Sequence, residues 1–420
     1  MLMSSISMFG INYHSSDLPV REKLSFSNDD NLDFLESLKN SGIVYESIIL
    51  STCNRMEIYA VTNDIDLVIN MVGEVKNVCP KTFIRPNCYI YKDNKAVAHL
   101  FRVASGLMSM VLGETEIVAQ IKNALLLSKS QNMTGKILSG IFQMALSTEK
   151  EVRRITKINH ISTSMGRAIL NLITNTYQNI IPHGILFIGA GDMMTSIIPY
   201  FEHIPTKKTL INRTLSKATT LANRINASAY ELDKLPDIIN EYGIIILSAY
   251  YTHDTKHNPN YILNKAILSK INTNTKRCII DLSVPRLTDV EYIKTMPNVT
   301  MLVLDDFAKM VDVSVEAKAR LIDEANVIIE DKLLEYENWR RKIELSPVIK
   351  AFRDKAEEIR KEVLVSIKEQ NSHIEHHHIL DELSIRLTNK LLHAPTVNIC
   401  SAMGNKQKEL ATLINYLFAL

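Results

Sequence analysis

The sequence predicts a multidomain α/β protein: an α+β domain, then a doubly wound, Rossmann-like domain, then an all-α C-terminal region entered through one long helix. Three observations predict it. Apolar alternation and a helical stripe share residues 1–160. Short apolar strands alternate with helical stretches over residues 161–305, beginning with a run closed by Gly189-Ala190-Gly191. Neither Gly nor Pro occurs between Pro297 and Pro347, so residues 306–420 open on an uninterrupted helical pattern.

In the first domain Ser7 to Tyr13, Ile43 to Leu50 and Met56 to Val61 read as strands, with a helix over Asn28 to Lys39 between the first two. From Asn94 the pattern turns helical, with Ala98, Phe101, Ala104, Met108 and Val111 at three- and four-residue steps. In the second domain Gly184 to Ile188, Thr209 to Asn212, Gly243 to Leu247 and Cys278 to Leu282 supply the strands. The long helix carries Val311, Val315, Ile322, Ala325, Ile329, Leu333 and Tyr336 on one stripe, with Asp305 and Asp306 as candidate N-caps. At 1.5 Å per residue, about 35 to 40 residues span roughly 50 to 60 Å, more than one globular domain needs. Such a rod joins domains or subunits. After Pro347 a second amphipathic face runs through Val348, Phe352, Ile359, Val363 and Ile367.

Composition narrows the function classes. The chain has 420 residues, 46% hydrophobic and 22% charged, with a formal charge of +2, which excludes a strongly basic nucleic-acid coat and an acidic disordered tail. No apolar run approaches the ~18 residues of a membrane span, and Met1 to Tyr13 lacks the basic start of a signal peptide. A soluble cytoplasmic protein is expected. The five cysteines are scattered without a Cys-x-x-Cys pair, which argues against a disulfide framework and a zinc ribbon. His373, His376, His377 and His378 point in different directions on a helix and lack a completing acid or Cys, so no metal is expected.

The motifs carry the chemistry. Ser51-Thr52-Cys53-Asn54-Arg55 connects two strands, placing Cys53 beside a guanidinium that would favour the thiolate, the nucleophile of acyl chemistry. A buried hairpin cysteine would fit the same spacing. Gly189-Ala190-Gly191-Asp192-Met193-Met194 has the first two glycines of a dinucleotide fingerprint, with Met194 at the third small position. The next strand ends Asn212-Arg213-Thr214, where Arg213 suits a 2′-phosphate and no carboxylate awaits a 2′-hydroxyl. NADP(H) is therefore expected over NAD(H). Asp281-Leu282-Ser283-Val284-Pro285-Arg286 forms a loop at the carboxyl edge of the sheet, where ligands bind.

In combination with His99 to Leu107, Leu112 to Ile117, Gln120, Lys122 and Leu391 to Thr396, these blocks resemble the glutamyl-tRNA reductase family over nearly the whole chain. The resemblance implies NADPH-dependent reduction of glutamyl-tRNA(Glu) to glutamate-1-semialdehyde with release of tRNA, the first step of porphyrin (5-aminolevulinate) synthesis from glutamate. It implies Cys53 as the nucleophile and His99 as a second residue important to activity. Thr52, Asn54, Arg55, Ser109, Glu114, Thr115, Glu116 and Gln120 would surround the glutamyl group, and Gly189 to Met194 with Asn212 and Arg213 would hold NADPH. By the same resemblance 1–160 is the catalytic domain, 161–305 the NADPH domain, and 306–420 the linking helix and dimerisation domain of a V-shaped homodimer. Transfer of the product to glutamate-1-semialdehyde aminomutase is implied too.

This chain departs from the family pattern in two places. The usual Gly-Glu-Pro-Gln-Ile reads Gly113-Glu114-Thr115-Glu116-Ile117, with Ala119 in place of a common Gly, and Ser248 to His253 lacks the usual small turn near the nicotinamide. Two rival readings stay open on the residues alone: a small-metabolite NADP dehydrogenase using only the second domain, and a non-catalytic tRNA-binding scaffold.

Overall fold

The computed structural model describes residues 5–158, 165–249, 261–308, 315–370, 377–401, 409, 412–414 and 416. Tyr250 to His253 of the unusual turn, and His373 and His376, lie outside the described residues. The chain divides into two compact units, one of residues 4–332 and one built mainly of residues 333–420.

The first unit opens with an antiparallel sheet of β1 (Ser5–Asn12), β2 (Val44–Ser51), β3 (Arg55–Thr62) and β4 (Tyr89–Lys92), in the order β2-β3-β1-β4. The three expected strands are present, and short β4 is an addition. Helices α1 (Leu18–Leu24), α2 (Asn28–Asn40) and α3 (Ile65–Val75) join the first part of the domain. Phe9, Phe34, Leu35, Ile58, Val68 and Ile69 form its core. Two N-caps begin helices where the sequence allows: Asp17 accepts from Val20 N–H, and Ser27 forms a capping box with Asp30.

The helical stripe from Asn94 is interrupted. Helix α4 (Asn94–Ala104) ends before Met108 and Val111, which lie in a loop leading to α5 (Glu116–Ser130), followed by α6 (Lys136–Thr156). The reason is local: Gly106 at φ +74° and Gly113 at φ +77° take left-handed conformations, and Gly113 N–H bonds to Gly106 O at 3.0 Å. This loop carries Ser109 and Glu114 to the site.

After α7 (Met165–Thr176) the second sheet comprises β5 (Ile185–Ile188), β6 (Lys208–Asn212), β7 (Ser228–Glu231), β8 (Ile244–Leu247), β9 (Arg277–Asp281) and β10 (Val299–Val303), with α8 (Asp192–Ile197) and α9 (Leu215–Ala222) among the helices between them. All pairs are parallel, in the order β10-β9-β8-β5-β6-β7. Alternate residues feed opposite faces: Ile185, Phe187, Ile244 and Ile246 join one core, and Leu186, Ile188, Ile245 and Leu247 the other. Strand order reverses between β5 and β8, the place where doubly wound sheets bind ligands. The edge strands β7 and β10 are less buried than the central four, and the sequence pattern did not reveal them.

Beyond β10, Asp305 and Asp306 sit in the short helix α10 (Leu304–Ala308) and do not cap the long helix. Asp306 accepts from Val303 N–H at 2.8 Å, and Asp305 pairs with Arg21. The long helix α11 runs Val315–Gln370, 56 residues, and continues through Pro347, which removes one donor without ending it. In the second unit Phe352 and Ile414 pack with Val348, Ile349 and Leu392, while Arg360 and Lys368 of α11 reach Ser384 and Asp381 of α12 (His377–Ser401) at 2.9 Å. No described helix is long and apolar enough to cross a membrane.

Candidate active site

The loop between β2 and β3 is built by Thr52. Its backbone N–H donates to Arg55 O at 2.8 Å, and its Oγ1 accepts from Asn54 N–H at 3.1 Å and Arg55 N–H at 3.2 Å. Thr52 therefore shapes the turn that presents Cys53, with its hydroxyl already engaged. Asn54 is buried, its Oδ1 without a protein partner, and its carbonyl accepts from Tyr13 N–H at 3.2 Å.

The expected influence of Arg55 on Cys53 is corrected. On a strand, residues 55 and 57 share a face, and Arg55 turns away from the thiol: Nη1 donates to Glu57 Oε1 at 3.1 Å and Nη2 to Met108 O. The Cys53 thiol is pushed up to about 12, first by burial and then by the carboxylates of Glu114 and Glu116, with Arg21 opposing. Arg21 Nη1 donates to Cys53 O at 3.0 Å. The cation nearest in effect is thus 32 residues upstream.

Glu57, absent from the sequence-based candidates, organises the rest. It is fully buried and accepts from Arg55, from Tyr59 and Tyr89 hydroxyls at 2.7 Å each, and pairs with His99 Nε2 at 2.8 Å. Burial opposes its charge, but His99 and Arg55 hold the carboxyl well below the usual range. Gly10, opposite Glu57 in the β1–β3 register, leaves the room: a Cβ there would lie 2.7 Å from Glu57 Cγ. His99 is therefore tied into this network through Glu57, with Tyr89 and Tyr91 rings 5.2 Å away. The period-two spacing of Arg55 and Glu57 was the available signal for it.

Ser109 O accepts from Tyr13 Oη at 3.1 Å, and the Ser109 hydroxyl reaches the carboxyl of Glu114. Burial and the facing carboxyl of Glu116 raise Glu114 to about 8; Glu116 is raised too, chiefly by burial, and reaches Ser196 at the start of the nucleotide domain. The Glu116 departure from the family pattern thus has a physical meaning, since it adds a second acid to the site. Thr115 is exposed at the start of α5, and Gln120 is half-buried one turn on.

The cofactor candidates gather at the carboxyl ends of β5 and β6. Gly189 sits at φ +108°, and a Cβ there would lie 2.0 Å from Ser248 O, so only glycine allows β5 and β8 to meet as closely as they do at the switch point. A Cβ on Gly191 would meet nothing within 4 Å, leaving the open cradle a pyrophosphate requires. Asp192 opens α8 (Asp192–Ile197), with Met193 half-buried after it. Met194 is corrected from cofactor contact to packing: its side chain is fully buried in the core, filling with a thioether the space that a small third residue leaves to close helix–strand contact. A small cleft beside the cradle is lined by Gly189, Asn212, Arg213, Leu232, Ala249 and Ile262 among others. Arg213 is exposed there.

Comparison with known proteins agrees with this geometry. Residues 9–156 match the family model for the N-terminal domain of glutamyl-tRNAGlu reductase, and residues 324–420 match its dimerisation domain. The glutamyl-tRNA reductase of Thiobacillus denitrificans is 34% identical over 417 residues, covering 98% of each chain. The chain belongs to the glutamyl-tRNA reductase family. Another glutamyl-tRNA reductase, from Neisseria meningitidis serogroup B, is 32% identical over 422 residues, 99% of each chain. The solved glutamyl-tRNA reductase of Methanopyrus kandleri shares the fold, with a TM-score of 0.51 and 22% identity over the full length of both chains. Residues 171–310 match the shikimate/quinate 5-dehydrogenase model, which implies a nicotinamide cofactor for this domain.

Proposed function

We propose that this chain reduces glutamyl-tRNA(Glu) to glutamate-1-semialdehyde with NADPH, releasing tRNA through a Cys53 thioester, at the first step of porphyrin synthesis. One observation carries the reading: Cys53 and Tyr13 of the first domain, and Ala190 and Met193 of the cofactor cradle, pack against one buried apolar cluster that joins Met110 and Val111 to Phe187, Met194 and Ile197. The nucleophile and the cofactor cradle therefore border the same buried cluster.

The chain's own residues supply each step. Cys53 attacks the aminoacyl ester carbon; the ionised member of the facing Glu114–Glu116 pair takes the thiol proton and returns it to the departing ribose oxygen. Arg55, held by Glu57, and the 108–114 loop with Ser109 line the glutamyl side, joined by Asn54, Thr115 and Gln120; His99 sets the charge state of Glu57. Gly189, Ala190, Gly191, Asp192 and the backbone of Met193 would hold the pyrophosphate, and Asn212 and Arg213 the ribose end. NADPH, when bound, supplies the hydride that the thioester carbon accepts. The same reading assigns residues 1–160, 161–305 and 306–420 to catalysis, NADPH binding and dimerisation, a cytoplasmic setting, and hand-over of the aldehyde to the aminomutase. Incubation with glutamyl-tRNA and no NADPH should leave a glutamyl group on the Cys53 peptide by mass spectrometry. Its appearance on any other residue would refute the scheme.

Cofactor choice yields a sharper expectation. Arg213→Ala should raise KM for NADPH about tenfold or more while leaving KM for NADH unchanged, because a charge-assisted pair with the 2′-phosphate is lost. Equal effects on both cofactors would remove Arg213 from phosphate recognition.

The C-terminal unit supports a homodimer. Ile359, Val363, Ile379, Leu383, Leu387 and Leu391 are exposed on α11 and α12, an apolar surface of the kind that a second copy covers. Sedimentation at micromolar concentration should give twice the 47.6 kDa chain mass. A sedimenting monomer would overturn this part.

A further inference from the structure

The loop Asp281 to Arg286 has no part in the scheme above, yet it is tightly held. Asp281, buried at the end of β9, accepts from Ser283 N–H and Leu287 N–H at 2.9 Å each. This fixes the loop that carries Arg286. Arg286 then grips Glu22 of α1 three ways: its backbone N–H and Nε donate to Oε1, and Nη2 to Oε2, all at 2.7 Å. The fork geometry fixes direction as well as distance.

The neighbouring residue reaches the other way. Arg21, only 2% exposed, donates through Nη1 to Cys53 O at 3.0 Å and through Nη2 to Asp305 of α10. Adjacent positions on one capped helix therefore hold three things: the nucleophile loop, the loop at the carboxyl edge of β9, and the segment after β10. Leu18 and Leu24 are buried, so α1 is anchored from its own domain as well.

We propose that Arg21 and Glu22 are positioning residues that fix Cys53 against the nicotinamide-facing edge of the second sheet, and so decide whether the acyl group on Cys53 is reduced or hydrolysed. The proposal rests on the thioester reading. Both fates break the same C–S bond. In reduction the acyl carbon gains a hydride from NADPH, the sulfur leaves as thiolate and takes a proton, and the aldehyde departs. In hydrolysis water adds its hydroxyl to carbon and its proton to sulfur, giving glutamate and the thiol. Only reduction depends on how the two domains are registered, so a loosened clasp penalises it selectively.

The test compares wild type, Glu22→Arg, Arg286→Glu and the exchanged pair in the full chain with glutamyl-tRNA, reading semialdehyde against free glutamate. With saturating NADPH each single variant should lower that ratio by about tenfold or more, since misplacement of about 1 Å costs rates of that order. Glutamate release without NADPH should stay close to wild type, and the exchanged pair should recover most of the ratio. An unchanged ratio, or an equal fall in both products, overturns the clasp. Should the charge-reversed chains fail to fold, Glu22→Gln keeps the shape and must still lower the ratio. Wild type that forms neither product, nor a Cys53 adduct, would instead overturn the thioester reading itself.

Discussion

Replacing Cys53 by serine is expected to lower semialdehyde formation by at least about a thousandfold while leaving the fold intact. The site explains why the loss should be so large. Even the thiol is pushed up to about 12 by burial and by Glu114 and Glu116, so on the proposed reading it reacts because sulfur is intrinsically nucleophilic and the ionised member of the Glu114–Glu116 pair accepts its proton. A hydroxyl starts several units higher and has the same weak acceptors. The turn itself should survive, because it is built from Thr52 and backbone groups that the substitution leaves alone. The decisive measurement is glutamate release without NADPH. It should vanish together with reduction, and deacylation persisting at the wild-type rate would take the thioester off the path.

Glu57→Gln should destabilise the first domain by about 3–5 kcal/mol, the usual cost of breaking a buried ion pair by neutralising one partner. Arg55 would keep its charge in the interior with only the Met108 carbonyl and a neutral amide, and the Tyr59, Tyr89 and His99 donors would compete for one acceptor oxygen. Urea denaturation gives the measurement through a lower midpoint. Acid provides a second signature. The folded carboxyl lies below its unfolded value, so its contribution is complete above roughly pH 4.3 and is lost as pH falls through the native value. Glu57→Gln should therefore remove part of the acid-induced loss of stability in that low window. A variant as stable as wild type, with the same acid profile, would show that the network is dispensable.

What the sequence made legible was local. Leu186 to Ile188 and the Gly189 turn read correctly because a buried parallel strand and its βα turn write themselves into consecutive residues. Met108 and Val111 misled, since two left-handed glycines break a periodicity that looks continuous on a helical count. Arg55 misled differently: proximity in sequence suggested proximity to the thiol, whereas Cys53 lies in the turn before β3 and Arg55, the first strand residue, shares a face with Glu57 and directs its donors there. Glu57 could have been found from that same rule. The bond between Glu22 and Arg286, 264 residues apart, and the pairing of Arg21 with Asp305 are set by how two domains pack, and no local pattern encodes them.

The elevated Cys53 thiol has a meaning for the life of the protein between turnovers. Peroxide and electrophiles attack thiolates, and a sulfur held protonated among carboxylates offers them little. Cys79, by contrast, is exposed, with its thiol lowered by hydrogen bonds from Thr82 and the following backbone. On the proposed reading the nucleophilic sulfur is thus held protonated in the resting state, and the more vulnerable thiol is that of Cys79, which has no part in the proposed scheme. Damage from oxidative stress would mark the surface before it reached the reaction centre.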